Sequence, residues 1–443
     1  MNRNEAKETT LVLTDEEIFV KQRRAIRNTG MNTIIGETFS TDLPIKKAVV
    51  RDKCGELKTA IIHNDLTSTT IEYSYRKPLK PGEVHASELS MLIDEIIVKK
   101  LGDLKIIDWG KENISDIHFL NTKPFFISAI GNSKIVGKRV VIEPLKNYKS
   151  IVSHAKKDKT IRIEYFNKNA SIPEIIWRER YTLKNISPQN ATNIEIKFIS
   201  PRNDTNQEVT IRTSNNVVLN QDSDGNTWSN YSIDILRTGE SSEIIIEYLI
   251  KRKPYSLYSD YGTLDFIKSV TEPGSVGTLF LSNTILWPVK DPSIVRIANL
   301  ILEGQKDIYN IIRLIFEFVN QSFTYKVNEQ RFSALEILRT KEGDCSEFSD
   351  LFVTLARACG IPARVCTGYI WHTDGKLEGH AWTEFFSKQG WITMDPLWGY
   401  LHGTSFQHIL FTKEGKEVDN PFYMYKSYGG EIKVDRKYDI RIA

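Results

Sequence analysis

Cysteine is scarce, with four in 443 residues. That is too few for a disulfide scaffold in a chain this long, and it fits a reducing compartment. Charge of one sign is missing as well. Lys and Arg number 59 against 56 Asp and Glu, a net of +3, so no strong field selects nucleic acid or a membrane surface. Clusters such as Lys99-Lys100 and Lys156-Lys157 are short and interrupted by acids, hence solvated surface rather than a phosphate track. No apolar run approaches the ~20 residues of a membrane span; the best, 311–319, is broken by Arg313 and Glu317. Residues 1–10 lack the basic start and apolar stretch of a secretory signal. A sequon such as the one at Asn185 carries no meaning without secretion. These absences point to the cytoplasm, without membrane span, nucleic-acid partner or cofactor, and leave the oligomeric state open.

What is present reads as about two or three domains. Residues 1–150 are mixed and mainly β, with short β-branched runs such as 60–62, 69–73 and 139–142. Two helices are expected there, one over 11–30 behind the capping-box spacing of Thr14 and Glu17, one over 88–100. Residues 158–252 predict a β-sandwich domain of immunoglobulin-like type. Its strand candidates are 160–165, 177–183, 193–199 and 243–250, with a turn at Asp222-Ser-Asp-Gly-Asn226. The first region shares a sparse pattern with it, including a Leu-x-x-Gly-Glu step at Leu79 and Leu236, although intervals and order differ. A Gly-, Ser-, Thr- and Pro-rich connector over 262–292 predicts an exposed link. Beyond it, 293–443 reads as a separate α+β domain, opening with helical periodicity at Ile294, Ile297, Ala298 and Ile301, then at Ile308, Ile311, Ile312, Ile315 and Phe316.

The chemistry concentrates in that last domain. In Gly343-Asp-Cys-Ser-Glu347, Asp344 is an N-cap and Glu347 completes the capping spacing. The helix that follows carries Phe348, Leu351, Phe352, Leu355 and Cys359 on one face, and Gly360 and Pro362 end it. Cys345 therefore takes the first helical position, where free N–H groups and the helix dipole favour an anion. The acidic cap opposes this, so a cationic partner is needed. Two strands joined by a turn at Ser387-Lys-Gln-Gly390 follow. If Phe386 faces Trp391, then His380 lies diagonal to Asp395 on one face, about 7–8 Å along the sheet before the side chains reach. The carboxylate can then fix the imidazole tautomer and leave the other nitrogen to the thiol. Alone, each residue has an ordinary use: Cys packs as a small hydrophobe, His serves in strands, and Asp turns the chain before Pro396. Cys359 and Cys366 read as core, and Cys54 as buried or incidental. Zinc needs paired ligands at short spacing, which Cys359/Cys366 and His372/His380 do not provide.

The blocks 343–352, 355–365, 368–369, 380–384 and 390–396 resemble the transglutaminase-like superfamily closely, over about residues 294–400. The resemblance implies a papain-like α+β core and thioester chemistry, with Cys345 as nucleophile, His380 as base and Asp395 as orienter. Tyr325 or Gln330 is a candidate oxyanion donor beside the Cys345 backbone N–H, and Trp382, Trp391 and Trp398 are candidate cleft walls or core. The expected enzyme hydrolyses a peptide or amide of a protein or peptide substrate, or passes the acyl group to an amine. Asp-Pro-Leu at 395–397, where the family commonly has Asp-Pro-Thr, and the short stretch after Pro396 turn the expectation away from calcium-activated crosslinking. The rival is a non-enzymatic binding protein in which the β-domains recruit a partner and the core is a scaffold.

Overall fold

The computed structural model describes residues 3–63, 68–101, 103–109, 114, 116–127, 132–136, 139–143, 161–167, 169–213, 217–255, 260–271, 276–372, 374–414 and 423–443. Lys156-Lys157 lies outside them. The described residues up to Ser171 form one compact unit and Ile172–Ala443 the other.

In the first unit the expected helix over 11–30 is a hairpin. Thr14 does cap, but it caps a turn: its Oγ1 accepts the Glu17 N–H at 2.8 Å while its own N–H donates to Glu17 O. The flanking strands Arg3–Leu13 and Ile18–Asn28 pair antiparallel. Burial alternates along Ile18, Val20, Gln22, Arg24, Ile26 and Asn28. A period of two is the strand signature, and it overrides a local cap. The expected helix over 88–100 fails for the same reason. Leu89, Met91 and Ile93 are buried in alternation on the strand Val84–Ile93, and only a 3-10 turn, Glu95–Ile97, follows, capped by Asp94.

The second unit opens with the expected sandwich. One sheet runs 432–442, 174–185, 241–252, 207–213; the other runs 423–428, 191–200, 227–236, 218–221. Their faces meet at Tyr181 and Phe198, 3.9 Å between ring centroids. Three expectations fail here. The strand candidate 160–165 is not in the sandwich: it falls in Ile161–Asn167, which pairs with Leu104–Trp109 and Thr122–Ile127 in the first unit. The strands Tyr423–Tyr428 and Ile432–Ile442 are not part of a separate domain over 293–443; they return to complete both sandwich sheets. The connector over 262–292 is not an exposed link either. Ile267, Phe280 and Trp287 are buried, and the Trp287 indole N–H donates to Asp350 at 2.6 Å. The Gly, Ser, Thr and Pro content that suggested a link said nothing of the apolar side chains between them.

The sandwich repeats the plan of the first unit. Asn28 Nδ2 donates to the carbonyls of Asn32 and Leu79; Asn185 Nδ2 donates to those of Gln189 and Leu236. Glu83 accepts the Lys80 N–H, and Glu240 accepts the Arg237 N–H, both at 2.8 Å. The same interval separates the members of each pair, and the strand orders correspond: 3–13, 18–28, 84–93, 45–52 against 432–442, 174–185, 241–252, 207–213. The last strand of the chain thus fills the place that Arg3–Leu13 fills in the first unit.

Between 252 and 423 lies the α+β core. Its antiparallel sheet runs 390–394, 377–387, 363–371, 408–414. The helices Pro292–Leu302, Ile308–Ser322 and Cys345–Ala358 carry buried apolar faces at the predicted positions, among them Ile294, Ala298, Ile301, Ile311 and Ile315. The Asp222 turn reaches this core. Asp222 holds the N–H groups of Asp224 and Asn226, and the Asn226 side chain pairs with the Lys413 backbone in both directions.

Candidate active site

Asp344 and Glu347 form the full reciprocal cap. Ser346 N–H donates to Asp344 Oδ1 at 2.8 Å, and Asp344 N–H donates to Glu347 Oε2 at 2.9 Å. Glu347 also accepts from Asn328 Nδ2 and Phe332 N–H, so one buried carboxylate ties the loop 326–333 to the start of the helix. Cys345, half-buried, is the first helical residue. The other cysteines sit elsewhere. Burial pushes the Cys359 thiol up to about 12 and Cys366 well above its usual range, both in the core. Cys54 is exposed, not buried, because it sits on the turn between strands Ile45–Asp52 and Gly55–Glu56.

The hairpin has the register that the turn implied, with Phe386 opposite Trp391. Its consequence is short-range: His380 Nε2 lies 2.7 Å from Asp395 Oδ2. Cys345 is the other group that acts on the His380 ring. With Nε2 taken by the carboxylate, Nδ1 is the nitrogen left over. Burial works against a charged His380, but the Asp395 charge and the hydrogen bonds to Asp395 and Cys345 outweigh it and lift the imidazole to about 10. Asp395 is fully buried, which by itself disfavours its charge; the two histidines against it reverse that and hold it well below the usual carboxylate range.

Gly368 makes the arrangement possible. It stands opposite His380 on one side and Leu410 on the other, at a register shift. A Cβ there would lie 2.0 Å from the Ile409 carbonyl oxygen, a backbone atom that cannot swing aside.

The structure separates the remaining candidates. Tyr325 pairs, in the parallel bridge of 324–325 with 342–343, with the residue two before Cys345. Its phenol is pushed up by partial burial and then by the nearby charges of Cys345, Glu378 and Asp344, which keeps it a donor. Gln330 is exposed on the loop 326–333. Trp398 packs over His380 at 5.4 Å and Trp382 stacks on it at 6.1 Å, whereas Trp391 is occupied by Arg364 at 4.0 Å. His408 escaped the sequence reading. Its Nε2 lies 3.1 Å from the same Asp395 Oδ2, and a lone histidine between Gln407 and Ile409 offers no spacing that would have marked it.

Among the described residues, no helix is long and apolar enough to cross a membrane. Comparison with known proteins places the similarity in the core. An uncharacterized Bacillus subtilis protein, YebA, is 30% identical over 105 residues, 20% of this chain and 14% of that protein. A protein-glutamine gamma-glutamyltransferase of Pseudomonas aeruginosa is 28% identical over 103 residues, 19% of this chain and 15% of that protein. The chain thus spans under a fifth of the length of these curated relatives. A crystal structure of a candidate cysteine protease from Cytophaga hutchinsonii superposes with a TM-score of 0.43 at 13% identity, covering 62% of this chain and 99% of that one. Residues 295–396 match the model of the transglutaminase-like superfamily, and this chain therefore carries a domain of that superfamily, preceded by β-rich units.

Proposed function

We propose that the protein is a cysteine enzyme that cleaves a peptide or amide bond through an acyl-thioester at Cys345. One observation carries this reading: a single buried imidazole, His380, is held by Asp395 at 2.7 Å through Nε2, which leaves Nδ1 for Cys345, the other group that acts on the ring. This is the nucleophile, base and orienter relation that thiol catalysis needs. The Cys345 sulfur bonds to the substrate carbonyl carbon, the C–N bond breaks, and the proton on His380 Nδ1 goes to the leaving nitrogen. Water then attacks the thioester, returns a proton to His380, and the C–S bond breaks to release the acid. The Cys345 N–H and the Tyr325 hydroxyl are the oxyanion donors in this scheme.

Hydrolysis is the favoured outcome because Tyr325 is 47% and Val327 71% exposed, so water has access to that side. Transfer to an amine shares the intermediate and differs only in the acceptor; the name of the Pseudomonas aeruginosa relative makes it the second outcome to test. Incubation with a peptide library, followed by mass spectrometry of the quenched protein, tests the scheme. The expected result is an acyl adduct on Cys345 that hydroxylamine removes, with free acid accumulating. An adduct-free Cys345 under all substrates would contradict it.

A further inference from the structure

Asp395 accepts more hydrogen bonds than a catalytic orienter requires. Oδ1 takes the backbone N–H groups of Leu397 and Trp398, both at 3.0 Å. Oδ2 takes His380 Nε2 at 2.7 Å and His408 Nε2 at 3.1 Å. A carboxylate offers about four acceptor sites, so the set is complete only with His408 in place.

The fold goes to some length to deliver that fourth donor. Strands 390–394 and 408–414 are opposite edges of the core sheet. The chain between them crosses the end of the sheet, pinned by Asp395 N–H to Tyr400 O at 2.8 Å and Gly403 N–H to Thr393 O at 2.7 Å. His408, the first residue of the far edge, then points back to Asp395. Its side chain has no solvent exposure. Its ring is boxed by Trp382 at 5.3 Å, Trp398 at 5.4 Å, His380 at 5.6 Å and Tyr400 at 5.8 Å.

The tautomer follows from the partners. Among the described residues His408 Nδ1 has no hydrogen-bond partner. A proton there would be a buried donor without acceptor, whereas a bare lone pair costs less. The titratable groups against the ring are Asp395, His380 and the Tyr400 phenol, and the charges that act on it are those of Asp395 and His380, with Arg252 after them. His408 is therefore neutral and carries its proton on Nε2, where Asp395 Oδ2 needs a donor.

We propose that His408 is a positioning residue: its neutral Nε2–H fixes the Asp395 carboxylate, which in turn holds His380 in the tautomer and orientation that face Cys345. This rests on the reading of Cys345, His380 and Asp395 as the reacting set. Without His408 only one donor holds Oδ2; with it each oxygen carries two, so any rotation of the carboxylate breaks one more hydrogen bond. The arrangement matters to His380 because its tautomer is set by the atom it donates to.

The test compares iodoacetamide alkylation of Cys345 at neutral pH in four full-length proteins, all carrying Cys54→Ser: the parent, His380→Ala, His408→Phe and His408→Gln. Phenylalanine fills the ring site without a donor. Glutamine places an amide N–H about where Nε2 stands. Thermal unfolding of each reports folding. The expected result is a loss of about tenfold in His408→Phe, the equivalent of one hydrogen bond to a charged group, with His408→Gln within about threefold of the parent and His380→Ala slowest. Parent-like rates in His408→Phe, with His380→Ala slow, would overturn the role of His408 and leave the reacting set standing. Equal losses in the Phe and Gln variants would overturn it too, assigning the residue to packing. A parent-like rate in His380→Ala would instead remove the reading beneath the proposal.

Discussion

At the scale of single residues, Asp395 decides the most. All four of its acceptor sites are filled by N–H donors, so an amide in its place must turn an NH2 against two of them. Facing the backbone, that NH2 would leave two N–H groups without acceptors. Facing the histidines, it would force His380 to accept at Nε2 and carry its proton on Nδ1 when neutral, the tautomer that cannot take a proton from the thiol. Asp395→Asn is therefore expected to lower turnover by about a hundredfold or more, measured on the substrate that the acyl adduct identifies, and to lower thermal stability as well. Cys345→Ala is expected to abolish turnover, and adding His380→Ala to it to cost almost nothing more, since residues acting as one unit lose function together. Independent multiplying losses would separate the two. The meeting of Cys345, His380 and Asp395 was legible because each stands at a position with its own local rule: a helix cap, a strand register, a turn before proline. His408 has no such rule. It reaches Asp395 only through the path of 395–408 across the sheet end, which no periodicity encodes.

At the scale of elements, local rules succeeded where local and tertiary demands agreed. The helix Cys345–Ala358 has cap, apolar face and stop in one register, and it formed as read. Thr14-Asp-Glu-Glu17 satisfies the same capping rule, yet the alternating burial of Ile18–Asn28 draws it into a hairpin. The cap at Asp344 does more than start a helix, because Glu347 gathers donors from Asp344, Asn328 and Phe332. Glu347→Ala leaves these groups without their acceptor and is expected to lower stability by about 3 kcal/mol, read as a shift in denaturant midpoint. Because the loop 326–333 loses its tie to the helix, alkylation of Cys345 should slow as well. An unchanged midpoint would mean that water replaces the carboxylate at no cost.

At the scale of the whole molecule, the second unit is a sandwich interrupted by its transglutaminase-like core. The core leaves after strand Ser241–Arg252, and the chain returns as Tyr423–Tyr428 and Ile432–Ile442. That discontinuity was hidden, since strands far apart in sequence carry no mark of belonging to one sheet. Ending the chain before residue 423 removes an edge strand from each sheet and strips Glu179 of its Arg436 partner. The truncated protein is expected to be insoluble or to unfold well below the full chain. A cleanly folded truncation would show that the core and the remaining strands suffice.

Protons act on the same scale. Burial depresses His402 to about 3 and His408 to about 4, so both are neutral in the fold while the unfolded chain takes up protons near 6.5. The unfolded state then binds more protons as the pH falls from about 6.5 towards 4, and stability drops by up to ~1.4 kcal/mol per pH unit for each histidine. His380 works with the opposite sign. Lifted to about 10, its contribution is complete below about 6.5 and fades as the pH rises through 10. Unfolding midpoints of the second unit should therefore peak near pH 6.5, and His402→Phe should flatten the acid side. A midpoint independent of pH between 4 and 6.5 would contradict the burial of these two rings as neutral groups.

The most direct test needs one protein and one reagent. Iodoacetamide at neutral pH meets four cysteines: exposed Cys54, buried Cys359 and Cys366, and half-buried Cys345 against His380. Accessibility alone ranks Cys54 first. Peptide mapping of the labelled protein is expected to show Cys345 reacting far faster than Cys54, with Cys359 and Cys366 silent until the protein unfolds. Cys54 reacting as fast as Cys345, or faster, would contradict an activated thiol at the centre of the site.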